Sequence, residues 1–425
     1  MVSALRALHR GSATDGPAVT GRGRQDGHRE LPIGRRVAQL RVRRGMSQQV
    51  LADRIGRSKS WVDKVERGVR TLDRLPMIET VAAALGVASG VLVGRKVQRA
   101  PVTDATTAVE RVREALACYD IPDATGREWP SSVAELDHQI GYARTAYRHA
   151  HHVQVLRMLP GLLAATRHAA RPEAATDGVR PAADLLVRVY RLTAQVLVKL
   201  GEAHLAWLAA DRAMTTAASD PRRTALAAVP LVQALRALNR GRLATAAATT
   251  AVHALDPAPL SPPDDLALAG MLLTEAALAA ATYADAATVD DLLDRAAHLA
   301  AVHAEHHHDD GFGLIVVDLA HALTTARLGD NHRAIDLHQR ATSSDAWQRL
   351  PAEHRAAHLI DIARVHLDAG NHHTAGRTLL LADHIAPAEV RLRPVAHATL
   401  TAVLRAGPTP ADVTRLATII GLART

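Results

Sequence analysis

The stretch MSQQVLADRIGRSKSWVDKVERG, residues 46–68, contains two short helical patterns separated by a glycine and a serine. On a helix from residue 58 to residue 67, Trp61, Val62 and Val65 fall on one apolar stripe. The other side is a continuous polar strip that consists of Lys59, Ser60, Asp63, Lys64 and Arg67. Ser58 places a hydroxyl at the N-terminal cap, and the free amides of a helix N-terminus attract phosphate. The stretch therefore predicts a short helix that buries one side and presents cations on the other.

The segments around this stretch also show helical periodicity. Ile33, Val37 and Leu40 recur at the spacing of one helix face, and Gly45 is expected to end that helix. Further short helices are predicted at about residues 47–55, 59–67 and 75–85. The glycines that would cap their C-termini are Gly56, Gly68 and Gly86. Residues 31–94 are thus predicted to form one compact helical domain.

The composition of the 425-residue chain favours helices throughout. Aromatic residues make up 2% of the chain and apolar residues 48%, so the core must consist mainly of Ala, Leu and Val. We therefore expect an all-α fold. The one cysteine, Cys118, cannot form an intramolecular disulfide, which is typical of a reducing cytoplasm. No stretch approaches the roughly 18–20 apolar residues that span a bilayer, so we expect a cytoplasmic protein with no membrane partner.

The charge is concentrated at one end of the chain. Residues 1–100 contain 20 Lys and Arg against 8 Asp and Glu, a net charge of +12, whereas the whole chain carries +8. The remaining residues are therefore net −4. A cationic first part on a mildly acidic second part indicates a polyanionic partner for the first part alone.

Composition also divides the chain into four parts. Residues 1–30 are rich in Gly, Arg and polar residues without periodicity and are predicted to be a disordered basic arm. After the helical domain, the polar residues 95–107 are predicted to be a linker. Residues 108–425 contain Ala-rich amphipathic segments in pairs, which predict a domain of helical repeats.

A repeated motif supports this last prediction. It reads LGEAH from Leu200, LGDNH from Leu328 and AGNHH from Ala369, and weaker copies centre on residues 239–241 and 283–285. The anchor positions recur every 40–45 residues and are Gly201, Gly241, Ala284, Gly329 and Gly370. This period is typical of a helix–turn–helix repeat. A generic α-solenoid or an Ala-rich helical bundle remains an alternative.

Taken together, residues 45–68 resemble the helix-turn-helix of the lambda-repressor-like, Xre-type DNA-binding domains. The matching residues are Ser47, Gln48, Leu51, Ala52, Gly56, Ser58, Ser60, Trp61, Val62, Val65, Glu66 and Gly68. The resemblance covers about residues 33–93. It implies a recognition helix in the major groove of double-stranded DNA. A helix-turn-helix used only for protein contacts remains the alternative.

The resemblance also implies roles for single residues. Lys59, Ser60 and Lys64 match positions that reach base edges. The implied phosphate contacts are Gln48, Arg67 and Arg70, with Arg57, which departs from the family's small apolar turn residue, as a further one. Arg41 and Glu66 match a structural ion pair. Asp63 would lie beside the groove, where it either accepts a hydrogen bond from cytosine or screens Lys59 and Arg67.

The repeats resemble tetratricopeptide repeats, in which small residues let two helices approach closely. The residues that fit this spacing are Gly201, Ala213, Ala217, Gly370, Ala382 and Ala386. The resemblance implies a concave inner surface that suits an extended peptide. The residues predicted on this surface are Gln195, Glu202, Arg242, Asp330, Arg333, Arg364 and Asn371.

An Xre-type domain followed by such repeats resembles bacterial transcriptional regulators that respond to a small signalling peptide, as in quorum sensing. The resemblance implies a homodimer that reads two half-sites about one helical turn apart. The alternative is an interaction scaffold whose repeats bind a protein partner and whose first domain only localises it. A short open reading frame for a secreted peptide beside the gene would favour the first reading.

No motif predicts catalysis, a cofactor or a metal. His306 to His308 precede two aspartates in a stretch typical of a solvated loop. His354 and His358 stand four residues apart but lack an identifiable third ligand. The chain contains no HExxH motif and no Walker loop, and Cys118 has no neighbouring histidine. We therefore expect a protein that is not an enzyme.

Overall fold

The computed structural model describes residues 33–44, 46–72, 75–85, 101–118, 132–171, 179–258, 260–306 and 312–422. Every regular element in these ranges is a helix, which confirms the all-α prediction. The chain divides into two compact units, residues 1–98 and residues 99–425. The arm predicted at residues 1–30 lies outside the described residues.

The described residues of the first unit form four short helices. They are α1 (Ile33–Arg43), α2 (Gln48–Arg54), α3 (Lys59–Glu66) and α4 (Leu75–Ala84). Each lies within two residues of its predicted position. Their shared core includes Val37, Leu51, Val62, Val65 and Leu85, all of which are almost fully buried. The apolar stripe predicted on α3 is thus confirmed, with Trp61 only partly buried.

Side-chain caps fix the turns on both sides of α2. Ser47 Oγ accepts a hydrogen bond from the backbone N–H of Val50, and Ser58 Oγ accepts one from Trp61, each at 3.2 Å. The Ser58 cap was predicted from the sequence. Gly56, which follows α2, has a φ of +62°, a left-handed conformation that favours glycine. The turn between α2 and α3 is therefore defined by a glycine and a serine, and it sets the direction of α3.

Helix α1 packs directly against the end of α3 at Gly34. A Cβ atom at this position would lie 2.0 Å from the carbonyl oxygen of Val65. Because that oxygen belongs to the backbone, a side chain at residue 34 would force the two helices apart. Gly34 therefore positions α3 against the rest of the unit.

Replacement of Gly34 with alanine is expected to destabilise the first unit by about 1–3 kcal/mol, because the added methyl group overpacks a backbone contact. Hydrogen exchange of the α3 amides in the full-length chain measures this loss. Gly141→Ala is the matched control, since a Cβ at this helical glycine meets nothing within 4 Å. We expect the control to raise helix stability by up to about 1 kcal/mol. Equal α3 protection in the Gly34 variant and the wild type would contradict the proposed contact.

The second unit contains seventeen α-helices within the described ranges. They are α5 (Pro101–Ala117), α6 (Val133–Arg148), α7 (His152–Ala169), α8 (Val179–Lys199), α9 (Ala203–Ala217), α10 (Pro221–Ala237), α11 (Gly241–Leu255), α12 (Pro263–Ala280), α13 (Ala286–His306), α14 (Leu314–Arg327), α15 (Asn331–Thr342), α16 (Asp345–Arg349), α17 (Ala352–Asp368), α18 (His372–Ile385), α19 (Pro387–Leu392), α20 (Pro394–Ala406) and α21 (Ala411–Ile420). The boundary between the two units lies within the predicted linker, residues 95–107, and residues 101–107 form the first turns of α5. Pro101 begins this helix, as proline suits a first helical turn.

Helices α8 to α21, apart from the short α16 and α19, form stacked pairs. The pairs are α8/α9, α10/α11, α12/α13, α14/α15, α17/α18 and α20/α21. The first helix of each pair also packs against the first helix of the next pair, which forms a continuous row of inner helices, α8–α10–α12–α14–α17–α20. The stacking follows the predicted order of helical pairs.

The predicted repeat centres fall at the turns within the pairs. The left-handed residues of these turns are Gly201, Asn239, Ala284, Gly329 and Gly370, with φ values from +58° to +103°. The predicted register was wrong at Gly241, which begins α11, because Asn239 adopts the left-handed conformation in its place. Gly201 and Gly370 also lie in turns rather than inside the first helix of their pairs. The sequence therefore predicted the positions of the turns correctly, but it did not predict correctly which residues lie on which face of each helix.

Alanine forms much of the core of the second unit. Ala213, Ala217 and Ala382 are fully buried, and Ala386 is 2% exposed. Small side chains let neighbouring helices approach closely, which explains how a chain with 2% aromatic residues builds a continuous core. The prediction of a core of Ala, Leu and Val is confirmed.

One segment, Pro263–Tyr283, is long and apolar enough to cross a membrane by length and composition. The prediction that no stretch reaches this length was therefore wrong. The segment contains α12, which packs against α10, α11, α13 and α14, and 72% of its apolar window is buried. A central helix that is covered on all sides has apolar residues on every face, because no face contacts water. A membrane-spanning helix is apolar on every face for the same reason.

Candidate nucleic-acid interface and repeat cavity

The outward side of α3 carries the residues predicted to read bases. Lys59, Ser60 and Lys64 are exposed, whereas Val62 and Val65 on the opposite side are 1% and 2% exposed. Arg57 in the preceding turn is exposed as well. The helix therefore presents two lysines and a hydroxyl to solvent, while its opposite side is buried in the core of the unit.

Asp63 lies on the same helix but is engaged by a neighbour. Its Oδ2 lies 2.6 Å from Nη2 of Arg67, and the two side chains are 37% and 61% exposed. The sequence left two roles open for Asp63, a hydrogen bond with cytosine or screening of Lys59 and Arg67. The pair with Arg67 corresponds to the second role. An exposed pair of this kind contributes little stability, so either partner can exchange it for a contact with DNA.

An ion pair joins α1 to α3 where the sequence placed it. Arg41 Nε donates to Glu66 Oε1 at 2.6 Å, and Arg41 Nη2 donates to Oε2 at 2.9 Å. Arg41 Nη1 also donates to the carbonyl oxygen of Met46 at 2.7 Å. The hydrogen bond with Glu66 raises the pKa of Arg41, although partial burial opposes the rise. Glu66 is 6% exposed and faces the interior rather than a groove.

Gln48 is placed differently from its predicted phosphate contact. Its Nε2 donates to Glu66 Oε2 at 2.8 Å, so the side chain completes the Arg41–Glu66 pair. Nε2 carries two hydrogens, and one remains for a phosphate at the start of α2. The structure therefore assigns Gln48 an internal contact that the sequence did not indicate.

Arg70 lies over an aromatic ring. Its Cζ is 6.0 Å from the centre of the Trp61 ring, and its backbone N–H donates to the carbonyl oxygen of Lys64 at 3.0 Å. Both contacts hold the loop after α3 against the helix. The sequence pattern does not indicate this contact between Trp61 and Arg70, because the two residues meet only when the chain reverses after Gly68. Arg57, Arg67 and Arg70 are all exposed near α3.

In the second unit, the inner helices surround a cavity of about 890 Å³. Gln195 lines this cavity, as predicted for the inner surface. The other six residues predicted there are not among its lining residues, and they are Glu202, Arg242, Asp330, Arg333, Arg364 and Asn371. Glu202, Asp330 and Asn371 occupy the N-caps that follow the turns, which is the register error described above.

The residues that contact the side chains of this group do not line the cavity either. Glu202 pairs with Arg113 at 3.2 Å, and Arg364 pairs with Asp368 at 3.2 Å. Asp330 Oδ1 accepts a hydrogen bond from the backbone N–H of Arg333 at 2.9 Å. Arg242 has its Cζ 5.4 Å from the centre of the Tyr283 ring.

A buried polar group closes the second unit. We call it the closure cluster, and it consists of Tyr147, His152, Lys199, Glu353, Glu389 and Arg393. Glu389 is fully buried and lies 2.6 Å from His152 Nε2, 2.9 Å from Lys199 Nζ and 2.9 Å from Arg393 Nη1. Lys199 also pairs with Glu353. The cluster joins α7 and α8 to α17 and α19, near the contacts of α5 with α19 and of α6 with α17, so the first and last parts of the repeat unit meet.

The electrostatics of Glu389 depend on this group. Burial raises the pKa of Glu389, but the charge of Lys199 and the hydrogen bond with His152 outweigh burial and hold the pKa well below its usual range. The carboxylate is therefore ionised at neutral pH. The sequence gave no signal for the cluster, because its members are up to 246 residues apart.

His354 and His358, which the sequence placed four residues apart, make contacts other than metal coordination in the structure. His358 Nε2 lies 3.0 Å from His338 Nδ1, and His354 lines the cavity. Burial lowers the pKa of all three, that of His338 to about 4, so they are neutral at pH 7. Among the described residues, no group of three or more His, Cys, Asp or Glu has a metal-binding arrangement. Residues 307–310 of the predicted histidine loop lie outside that part of the chain.

The first unit is similar to known proteins. Residues 32–95 match the helix-turn-helix domain family. Two similar relatives are both named HTH-type transcriptional regulator SinR, one from Bacillus licheniformis and one from Bacillus subtilis (strain 168). Each is 34% identical to this chain over 64 residues.

The similarity is confined to this unit. It covers 15% of this chain and 58% of each relative, so the chain spans little more than half the length of the relatives that it matches. No solved structure is significantly similar to the chain.

Proposed function

We propose that this protein is a sequence-specific, DNA-binding transcriptional regulator. The observation that carries the proposal is the exposure of Lys59, Ser60 and Lys64 on one side of α3, whose other side is fixed to α1 by the Arg41–Glu66 pair. The match of residues 32–95 to the helix-turn-helix family and the names of its relatives support it. A helix of this kind fits the major groove, where lysine donates to guanine O6 and N7.

The other cations supply affinity. Arg57, Arg67 and Arg70 surround the base-reading side of α3 and contact phosphates, and Gln48 adds one N–H at the start of α2. Asp63 screens Arg67 in the free protein, and a cytosine amino group replaces that contact where the operator offers one. The net charge of +12 on residues 1–100 draws this unit to DNA.

The second unit supplies the regulation. In this proposal its tetratricopeptide-like pairs hold a ligand or signalling peptide in the cavity and set the spacing of two recognition helices in a homodimer. Binding to two half-sites supplies the specificity that one small domain lacks. A ligand changes DNA affinity only if it binds the two shapes of the repeat unit with different affinity. The protein acts in the cytoplasm and has no catalytic step.

Lys64→Ala is expected to alter sequence preference at one base position by about 1–3 kcal/mol, because it removes a base contact. Arg70→Ala is expected to weaken binding to all sequences alike, because a phosphate contact carries no sequence information. Selection from random duplexes with the full-length chain first defines the operator. Titration of that operator and of single-base variants then measures both effects.

Arg340→Ala on α15 is the control, because this exposed arginine belongs to the second unit. If Lys64→Ala and Arg70→Ala bind operator and random duplexes as tightly as the wild type, the proposed roles are wrong. Sedimentation of the chain with a two-half-site duplex tests the dimer. One chain per duplex at saturation would contradict it.

A further inference from the structure

The charged groups on the cavity wall are paired, with two exceptions. Lys199 pairs with Glu353, Arg236 with Glu275, and Arg393 with Glu389. The exceptions are Arg327 and Asp361, for which no carboxylate or cationic partner lies within 4.0 Å in the described part of the chain. Unpaired charges at a cavity wall are a common feature of ligand sites.

These two side chains come from neighbouring inner helices. Arg327 ends α14, and Asp361 lies in the middle of α17. Arg327 lines the cavity and is also exposed to solvent. Partial desolvation and the charge of Arg236 lower the pKa of Arg327, whereas the charge of Asp361 raises it. The two charges therefore lie within electrostatic range of each other but too far apart to form an ion pair. A molecule between them would find an anion site and a cation site.

The wall beside them is apolar. It includes Met271, Leu278, Val316, Leu319 and Leu323 from α12 and α14. His354 and His358 face the same space in their neutral form and add hydrogen-bonding groups without charge. The cavity thus combines two opposite fixed charges with an apolar surface.

We infer that the cavity binds a small zwitterionic molecule with an apolar portion, of the type of an apolar amino acid. Its carboxylate binds the Arg327 guanidinium, its ammonium group binds the Asp361 carboxylate, and its apolar portion lies against α12 and α14. This inference rests on the proposed function in one respect, which is that the proposed function uses the same cavity as its regulatory site.

The closure cluster favours a small ligand over a long peptide. It holds α7 and α8 against α17 and α19, so the inner surface is the wall of a closed ring rather than an open groove. A volume of about 890 Å³ is within the range of small-molecule sites. The adjacent acid also makes the site less suited to a doubly charged phosphate, which Asp361 would repel.

The test uses the full-length chain and a pool of free Leu, Ile, Val, Phe and Met. Binding is measured by calorimetry and by the upward shift of thermal unfolding that a ligand of the folded state produces. The same measurements are made with the C-terminal amides, with the N-acetyl derivatives and with a pool of tripeptides of these residues. We expect the free amino acids to bind and each blocked form to bind at least about tenfold more weakly, as expected for one lost charged contact.

Arg327→Gln is expected to bind the free amino acids at least about tenfold more weakly, and so is Asp361→Asn. The matched controls are Arg340→Gln and Asp336→Asn, which make the same charge changes at exposed positions of α15. Both controls are expected to bind as the wild type does. Circular dichroism establishes that the four variants keep their helix content.

Three results would overturn the inference. They are binding of the tripeptides alone, equal binding of free and blocked forms, and no binding of any probe at millimolar concentration. None of these measurements contains DNA, so they are independent of the proposed regulator. Loss of operator binding by the Lys64 and Arg70 variants, measured separately, supports the regulator even when every probe fails here.

Discussion

Replacement of Glu389 with alanine is expected to lower the free energy of unfolding of the second unit by about 3–5 kcal/mol. Glu389 is fully buried and accepts contacts from His152, Lys199 and Arg393. Removal of the carboxylate leaves Arg393 buried without its carboxylate partner and leaves Lys199 with Glu353 alone, and this desolvation is the largest part of the loss. Chemical denaturation of the full-length chain, followed by far-UV circular dichroism, measures it.

Asp412→Ala is the matched control for this experiment. Asp412 forms an ion pair with Arg415, but the two side chains are 67% and 71% exposed. Such a pair contributes less than about 1 kcal/mol, so the control is expected to unfold nearly as the wild type does. If both variants unfold alike, the closure cluster does not hold the repeat unit together.

The same cluster predicts a loss of stability in acid. The pKa of Glu389 is lowered in the folded state, so its contribution is present above the ordinary value near 4.5 and is lost as the pH falls below it. The pKa values of His338, His354 and His358 are also lowered, so their contribution is lost as the pH falls below 6.5. The protonation of Glu389 and the protonation of the histidines both lower the free energy of unfolding as the pH falls. In Glu389→Ala, the loss between pH 6.5 and 4.5 is expected to persist, whereas the further loss below pH 4.5 shrinks.

Replacement of Glu66 with alanine is expected to unfold most of the first unit. Glu66 accepts two hydrogen bonds from Arg41 and one from Gln48, and it is 6% exposed. Loss of such a buried partner destabilises a protein by about 3–5 kcal/mol. A helical domain as small as residues 32–95 has little more stability than this. The expected result is loss of hydrogen-exchange protection across α1 and α3 and loss of DNA binding.

Asp63→Ala is the matched control on the same helix. It removes an acid whose pair with Arg67 is exposed, so the stability of the unit is expected to change by less than about 1 kcal/mol. Affinity for random duplexes is expected to rise, because Arg67 is released from its internal partner. Protected α3 amides in Glu66→Ala would show that the Arg41–Glu66 pair does not position the recognition helix.

In the described part of the first unit, the sequence predicted the helix positions to within two residues. The caps, the glycine turn and the apolar stripe of α3 are local signals, and they are confirmed at Ser58, Gly56 and Val62. The contacts of Gln48 and Arg70 were not predicted. They depend on where α1 and the loop after α3 pack, and no periodicity along one helix reports this.

The repeat unit was predicted less completely. The turns were found because glycine and short polar residues mark a left-handed residue wherever it occurs. The inner surface was assigned wrongly, because a shift of one or two residues rotates a helical side chain by about 100–200° around its axis. Glu202, Asp330 and Asn371 were displaced from the cavity in this way.

The sequence by itself thus determined the all-α class, the position and polarity of α3 and the order of the helical pairs, because each follows from spacing within a few neighbouring residues. Tertiary structure alone decided the closure cluster and the unpaired charges of Arg327 and Asp361. The closure cluster forms because the last helices of the second unit pack against its first helices, whereas Arg327 and Asp361 line one cavity because α14 and α17 are neighbours. The physical reason is that the position of the last helices depends on the angle between each helical pair and the next, added over all the pairs. Each of these angles depends on side-chain packing, which a single sequence does not reveal.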